Sequence, residues 1–205
     1  MKNNSLYLVL SREYNKEKNI LEIAEKAILG GVDIIQMREK DLLREDLIDL
    51  GNILSIICVG SGVTFIVNDD PTLAAEVNAD GVHLGQEDIK KWSVDKVRDL
   101  LGKNKIIGVS THSPEQFKHA DSMDVDYIAF GPIFDTETKD YSIGTESIPQ
   151  VLAATSKPVV FIGGITPDNV SEILEKGGKN IAVIRAIMRA DDAERAAREI
   201  KDRMV

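Results

Sequence analysis

Two short apolar runs in this sequence finish in carboxylates. TFIVN (64–68) is followed at once by Asp69, and GVHL (81–84) leads through Gly85-Gln86-Glu87 to Asp88. Carboxylates brought side by side repel, and a protein tolerates such a pair through a shared proton or a bound cation. A hard divalent ion such as Mg2+ takes one or two carboxylates and completes its shell with water and phosphate oxygens. Cations end other apolar stretches: Arg38 and Lys40 follow DIIQM (33–37), and Lys139 closes GPIFDTETK (131–139). Mg2+ with Arg38, Lys40 and Lys139 around a diphosphate would make it a good leaving group. Asp70 carries a different expectation. It precedes Pro71 and suits a helix cap, which leaves Asp69 for the ion.

A second anion site can be read in GGITPDN (163–169). Backbone N–H groups in a Gly-rich turn at a strand end cradle phosphate, although a plain tight turn has the same composition. Thr136, Thr138 and Lys139 fit phosphate contacts or an ordinary surface loop. His112 is the acid–base candidate by residue type, while THSPEQ (111–116) reads equally as the start of a helix. His83 sits inside its apolar run and reads as a packed or hydrogen-bonded core histidine. Cys58 lies in an apolar helical stretch and reads as a packing residue.

These groups need elements to hold them. The strand candidates are 6–10, 33–37, 64–68, 81–84, 105–110, 127–131, 158–163 and 180–184, all short and apolar on both faces, as strands covered on both sides must be. Helical periodicity fills the gaps: Leu21, Ala24 and Ile28 form one stripe, and Leu43, Leu47, Leu50, Leu54 and Ile57 another. Asp70-Pro71, Ser113-Pro114 and Thr166-Pro167 each place a capping side chain before a proline at the first helical position, and Ser113 with Gln116 has capping-box spacing. Eight strands in βα alternation, with a last helix near 191–203, predict a single-domain α/β (βα)8 TIM barrel over residues 1–205. A doubly wound open sheet is the rival, but no G-x-G-x-x-G follows the first strand. In a barrel the strand ends converge on one mouth, so Asp69 and Asp88 come from neighbouring strands onto one rim.

Composition narrows the partners. The 205 residues are 43% hydrophobic and carry a net charge of −9, with no basic run, which argues against nucleic acid. An anionic substrate therefore needs local cations or a metal to offset the field. Cys58 is the single cysteine, so no intrachain disulfide forms and an intracellular setting is expected. The opening MKNNSLYLVL has too short an apolar run for a signal peptide, and no run reaches the length of a membrane span. The expectation is a soluble, cytoplasmic protein without a membrane partner. From the residues alone, the reading is a metal-assisted enzyme acting on phosphorylated small molecules.

The motifs Q-x-R-E-K-D (36–41), Asn68-Asp69, GVHLGQED (81–88), GVSTHS (108–113), GPIFDTETK (131–139), GGI (163–165) and AVI (182–184) occur in order along nearly the whole chain. Together they resemble the thiamine phosphate synthase family. The resemblance implies a Mg2+-dependent transferase of thiamine biosynthesis. It condenses hydroxymethylpyrimidine diphosphate with hydroxyethylthiazole phosphate and releases diphosphate. Carried over residue by residue, it implies Asp69 and Asp88 as Mg2+ ligands, and Arg38, Lys40, Asn68 and Lys139 around the diphosphate. It further implies Gln36 and Ser110 at the pyrimidine, and Thr136, Thr138, Gly164, Ile184 and Arg185 at the thiazole phosphate. A homo-oligomer is also suggested. Two related readings share the barrel: a thiazole tautomerase working through His112, and a non-catalytic barrel that binds thiazole or thiamine phosphates. Neither needs the full metal–diphosphate set of Gln36, Lys40, Asp69 and Asp88. Arg185 departs from the family pattern, which commonly has serine there. Its guanidinium either reaches the phosphate or turns to an acidic neighbour.

Overall fold

The computed structural model describes residues 4–137 and 140–204. Eight strands alternate with helices: β1 (Leu6–Leu10), β2 (Ile34–Met37), β3 (Thr64–Asn68), β4 (Gly81–Leu84), β5 (Ile106–Thr111), β6 (Tyr127–Phe130), β7 (Val159–Ile162) and β8 (Asn180–Val183). All neighbours pair in parallel in chain order, and β8 closes on β1. The helices are α1 (Ile20–Leu29), α2 (Arg44–Ser61), α3 (Pro71–Glu76), α4 (Asp88–Lys91), α5 (Val94–Leu101), α6 (Pro114–Asp121), α7 (Ile148–Ala153), α8 (Val170–Glu175), α9 (Arg185–Met188) and α10 (Ala193–Arg203). The expected closed barrel is observed. Strand bounds differ from the sequence reading by a residue at several ends, as hydrogen-bond fraying allows.

Alternation along the strands divides the apolar side chains into two cores. Leu8, Ile35, Phe65, Val82, Ile107, Ile128, Phe161 and Ile181 face outward and pack under the helices. Tyr7, Val9, Ile34, Ile66, Tyr127, Ala129, Val160 and Ala182 face inward and fill the barrel. Each strand is therefore buried on both faces, which explains the unbroken apolar runs. No described helix is long and apolar enough to cross a membrane. Cys58 is buried in α2, and burial pushes its thiol up to about 12, as suits a packing residue.

Two of the three capping signals open helices. Asp70 accepts the Thr72 and Leu73 N–H groups at 2.9 and 3.0 Å, and Ser113 accepts from Gln116 N at 3.3 Å. Gln116 does not complete the capping box; its Oε1 accepts the His112 N–H at 2.8 Å instead. Thr166-Pro167 starts a turn, and α8 begins only at Val170. There the Asn169 side chain takes the Thr166 N–H at 2.8 Å and gives a hydrogen bond to Gly164 O at 2.9 Å. That pair of bonds pins the Gly-rich turn rather than a helix end.

Candidate active site

The C-terminal rim of the barrel has two halves. On the first, Asp69 follows β3 and Asp88 opens α4, after β4. Their carboxyl groups are close enough to share a proton, and the Asp69 pKa is pushed well above the usual carboxylate range. Burial is the largest cause, followed by the hydrogen bond and charge of Asp88, while Asn68 and Arg38 pull it back down. Asp69 sits in the left-handed backbone region at φ 65°, and its own N–H is tied to His83 O at 2.8 Å. Asp88 accepts the Gly85 N–H at 3.1 Å. The Arg38 guanidinium is within reach of Glu13 at 3.0 Å, and Lys40 is exposed just beyond it.

This donor set fits Mg2+. Two adjacent oxygen donors from neighbouring strands need a cation or a proton to coexist, and hard divalent ions take such pairs. Among the described residues no group of three or more His, Cys, Asp or Glu side chains could enclose a metal. An ion held there would draw its remaining ligands from water and substrate oxygens, the usual arrangement for Mg2+ at phosphates.

Inside the barrel a hydrogen-bond relay links the two residues expected at the pyrimidine. Gln36 Nε2 donates to the Tyr7 hydroxyl at 2.8 Å, and the Tyr7 and Tyr127 hydroxyls meet at 2.9 Å. Tyr127 contacts His83 Nδ1 at 2.8 Å, and His83 Nε2 contacts Ser110 Oγ at 2.7 Å. With Gln36 Nε2 as the donor to Tyr7, only one direction lets every hydroxyl proton find an acceptor. Tyr7 donates to Tyr127, Tyr127 to Nδ1, and Nε2–H to Ser110. The ends then present an acceptor, Gln36 Oε1, and a donor, the Ser110 hydroxyl. Gln86 Nε2 also holds the Ser110 carbonyl at 2.6 Å. Burial drives both tyrosine pKa values up, so the hydroxyls stay protonated.

The relay requires a neutral His83. Burial, helped by the charge of His112, pushes the His83 pKa down to about 4. In the unfolded chain it returns to about 6.5. Because the folded value is depressed, its contribution is fully present above pH about 6.5 and is lost as the pH falls towards 4. The loss approaches ~1.4 kcal/mol per pH unit for one proton, about 3 kcal/mol across the window. His83→Gln should flatten this part of the stability–pH curve. Urea midpoints at pH 7 and 5 that fall equally in both proteins would show that His83 is not the proton acceptor.

The second half of the rim surrounds a cavity of about 670 Å³, which suits a small molecule. Ser110 and His112 line it from the first half, Thr136 and Glu137 from the loop after β6, Gly163 and Gly164 from the turn after β7, and Ile184, Arg185 and Arg189 from the end of β8 through α9. Gly163 and Gly164 have φ of 104° and 66°. A Cβ on Gly164 would lie 2.5 Å from Asp135 O, so glycine alone lets this turn and the β6 loop approach each other. His112 Nδ1 is 2.6 Å from the Gly131 carbonyl, which must accept, so in the neutral ring Nε2 is left as the acceptor. Thr138 and Lys139 lie outside the described residues.

The structure thus brings Asp69, Asp88, Asn68 and Arg38 together, joins Gln36 to Ser110, and gathers Thr136, Gly164, Ile184 and Arg185 around one cavity. Arg185 resolves towards its acidic neighbour: Nη1 lies 2.8 Å from Glu137 Oε1, although the side chain still borders the cavity. Tyr7, Tyr127, Glu137 and Arg189 were missed by sequence reasoning. A tyrosine within a doubly buried strand needs a hydroxyl partner, and that signal was available for Tyr7 and Tyr127. Nothing local marks Glu137 or Arg189.

A closed parallel barrel whose seventh and eighth strand ends border a cavity beside a short extra helix belongs to the class of (βα)8 TIM barrels. The family model described as thiamine monophosphate synthase matches residues 6–187. The chain is 39% identical over 202 residues to the thiamine-phosphate synthase of Natronomonas pharaonis, covering 96% of this chain and 93% of that protein. It is 39% identical over 200 residues to that of Haloquadratum walsbyi, covering 95% and 88%. The solved thiamine phosphate pyrophosphorylase of Pyrococcus furiosus superposes with a TM-score of 0.88 at 33% identity, covering 98% of this chain and 95% of that one. The chain belongs to the thiamine monophosphate synthase family.

Proposed function

We propose that the protein condenses hydroxymethylpyrimidine diphosphate with hydroxyethylthiazole phosphate to give thiamine phosphate and diphosphate. The observation that carries this reading is the division of the rim. One half pairs carboxylates and Arg38 beside the relay ends, the other holds a Gly-Gly turn and arginines, and the two meet at Ser110. Two anionic substrates facing each other across one mouth fit this division.

The reaction breaks the bond between the pyrimidine methylene carbon and the diphosphate oxygen, and forms a bond from that carbon to the thiazole nitrogen. The bonding electrons leave with the diphosphate, and the aminopyrimidine ring stabilises the carbocation that remains. Gln36 and Ser110 orient the ring through the acceptor and the donor that the relay leaves open. Arg38, Lys40 and Asn68 hold the diphosphate as its charge grows, with Lys139 assigned to the same task by the family motif. Asp69 and Asp88 would hold Mg2+, which would supply further charge neutralisation at the diphosphate. Thr136, Gly164 and the backbone at Ile184 and Arg185 hold the thiazole phosphate, with Thr138 assigned there by motif. Positioning and electrostatic stabilisation dominate, because no step requires a protein base. The deciding experiment mixes both substrates with Mg2+ and assays thiamine phosphate and diphosphate. A folded protein that forms neither product refutes the reading.

The fixed tautomer of His112 at the cavity wall favours a second reading, proton transfer on a thiazole. Substitution separates the two. In the synthase His112→Asn should retain a substantial fraction of the condensation rate. A loss beyond roughly 10²-fold, the lower range for removing a general acid or base, would place His112 in the chemistry.

A further inference from the structure

Arg189 has no role in any reading above. It lies four residues after Arg185, and both side chains border the cavity beside the Gly163-Gly164 turn. Glu137 holds both. Arg185 Nη1 is 2.8 Å from Oε1, and Arg189 donates from Nη1 and Nη2 to Oε1 and Oε2 at 3.1 Å each, a fork-to-fork contact. The Arg189 guanidinium also lies 5.9 Å from the centre of the Tyr14 ring, another residue of the cavity wall. Two guanidiniums thus share one carboxylate at the mouth of a cavity, leaving one positive charge uncompensated within the cluster. Arg189 and Glu137 are half and two-thirds exposed, and ion pairs so exposed to water hold weakly.

We propose that Arg185 and Arg189 form one clamp for a phosphate dianion, and that Glu137 occupies this clamp as a built-in competing anion until the dianion replaces it. The proposal rests on the phosphate reading of this cavity and adds a residue and a selection rule to it. Guanidinium forks recognise carboxylate and phosphate with the same bidentate geometry, so one can be exchanged for the other. A phosphate monoester carries about −1.5 to −2 charge at pH 7 and three acceptor oxygens. It meets both cations more fully than the carboxylate it displaces. A monoanion exchanges one single charge for another and gains nothing. Glu137 therefore makes the cavity select dianions, and an unphosphorylated alcohol cannot open the cluster.

The test titrates the full chain with inorganic phosphate and, separately, with acetate, by calorimetry at low ionic strength. Wild type, Glu137→Gln, Arg189→Gln and Arg189→Lys are compared, with thermal unfolding as the control for folding. Glu137→Gln should tighten phosphate by about 5-fold or more, the lower range for coupling between competing sites. Acetate should then compete measurably only in that variant. Arg189→Gln should weaken phosphate by roughly 10-fold or more, as for a lost charge-assisted hydrogen bond, and Arg189→Lys should restore part of it. Phosphate bound on the other half of the rim is common to all variants and cancels in the comparison. Phosphate affinities within about twofold of wild type in both Glu137→Gln and Arg189→Gln would overturn the clamp. So would acetate binding the wild type as well as phosphate does. Because inorganic phosphate needs no thiazole, a chain that behaves as expected here but makes no thiamine phosphate would refute the synthase reading and leave the clamp standing.

Discussion

Asp69→Asn should reduce turnover by about 10²-fold or more, the scale of losing one preorganised electrostatic contact, while the fold survives. Both halves of the expectation have a physical reason. Asparagine matches aspartate in shape and is among the few residues at ease in the left-handed region that position 69 occupies at φ 65°. Its amide also relieves the repulsion that burial and Asp88 impose on the Asp69 carboxylate. Stability should therefore be equal or slightly raised. What disappears is the charge proposed to hold Mg2+. Turnover measured against Mg2+ concentration, beside thermal unfolding, checks this, and activity near wild type at every Mg2+ level would remove Asp69 from the metal site. Asp88→Asn should act in the same direction and more mildly, since its Oδ can still accept the Gly85 N–H.

Gly108→Ala should cost about 1–3 kcal/mol or more, the range for overpacking a filled core, and should lower activity in the protein that still folds. A methyl group at position 108 would lie 2.0 Å from Tyr127 Cζ and 2.4 Å from its hydroxyl oxygen. The tyrosine has nowhere to go. It is 1% exposed, stacked on His83 at 5.5 Å and tilted against Tyr7 at 6.1 Å. Any shift of the ring breaks the relay at its centre, so Gln36 and Ser110 lose their fixed donor and acceptor roles. The expected signature is a lower denaturation midpoint together with a raised KM for the pyrimidine diphosphate. Wild-type stability and KM in this variant would mean that the core yields here and that the relay does not position the ring.

Much of this molecule was legible in its sequence. Doubly buried parallel strands must be short and apolar on both faces, and eight of them with helical stripes between could close in few ways. In a barrel the strand ends form one rim, which places Asp69 and Asp88 side by side from the sequence alone. Asp70 could be separated from them because a capping residue before proline is a local signal, satisfied within three residues. Thr166 shows the limit of that signal: the same two-residue pattern opened a turn, because Asn169 offered its side chain to the Thr166 N–H.

Tertiary structure decided the contacts between strands that no spacing connects. Gln36, Tyr7, Tyr127, His83 and Ser110 come from five different strands, and their order along the relay follows from how the inward side chains meet across the barrel. Gly108 is needed because of a ring nineteen residues away in sequence. Arg185 had two equal alternatives in the sequence. The choice fell to Glu137, forty-eight residues before it, because the loop after β6 and the helix after β8 meet over one cavity. Local propensity and periodicity act along the chain and can be read there. Charge pairing and close packing act through space, and their partners are known only when the barrel has closed.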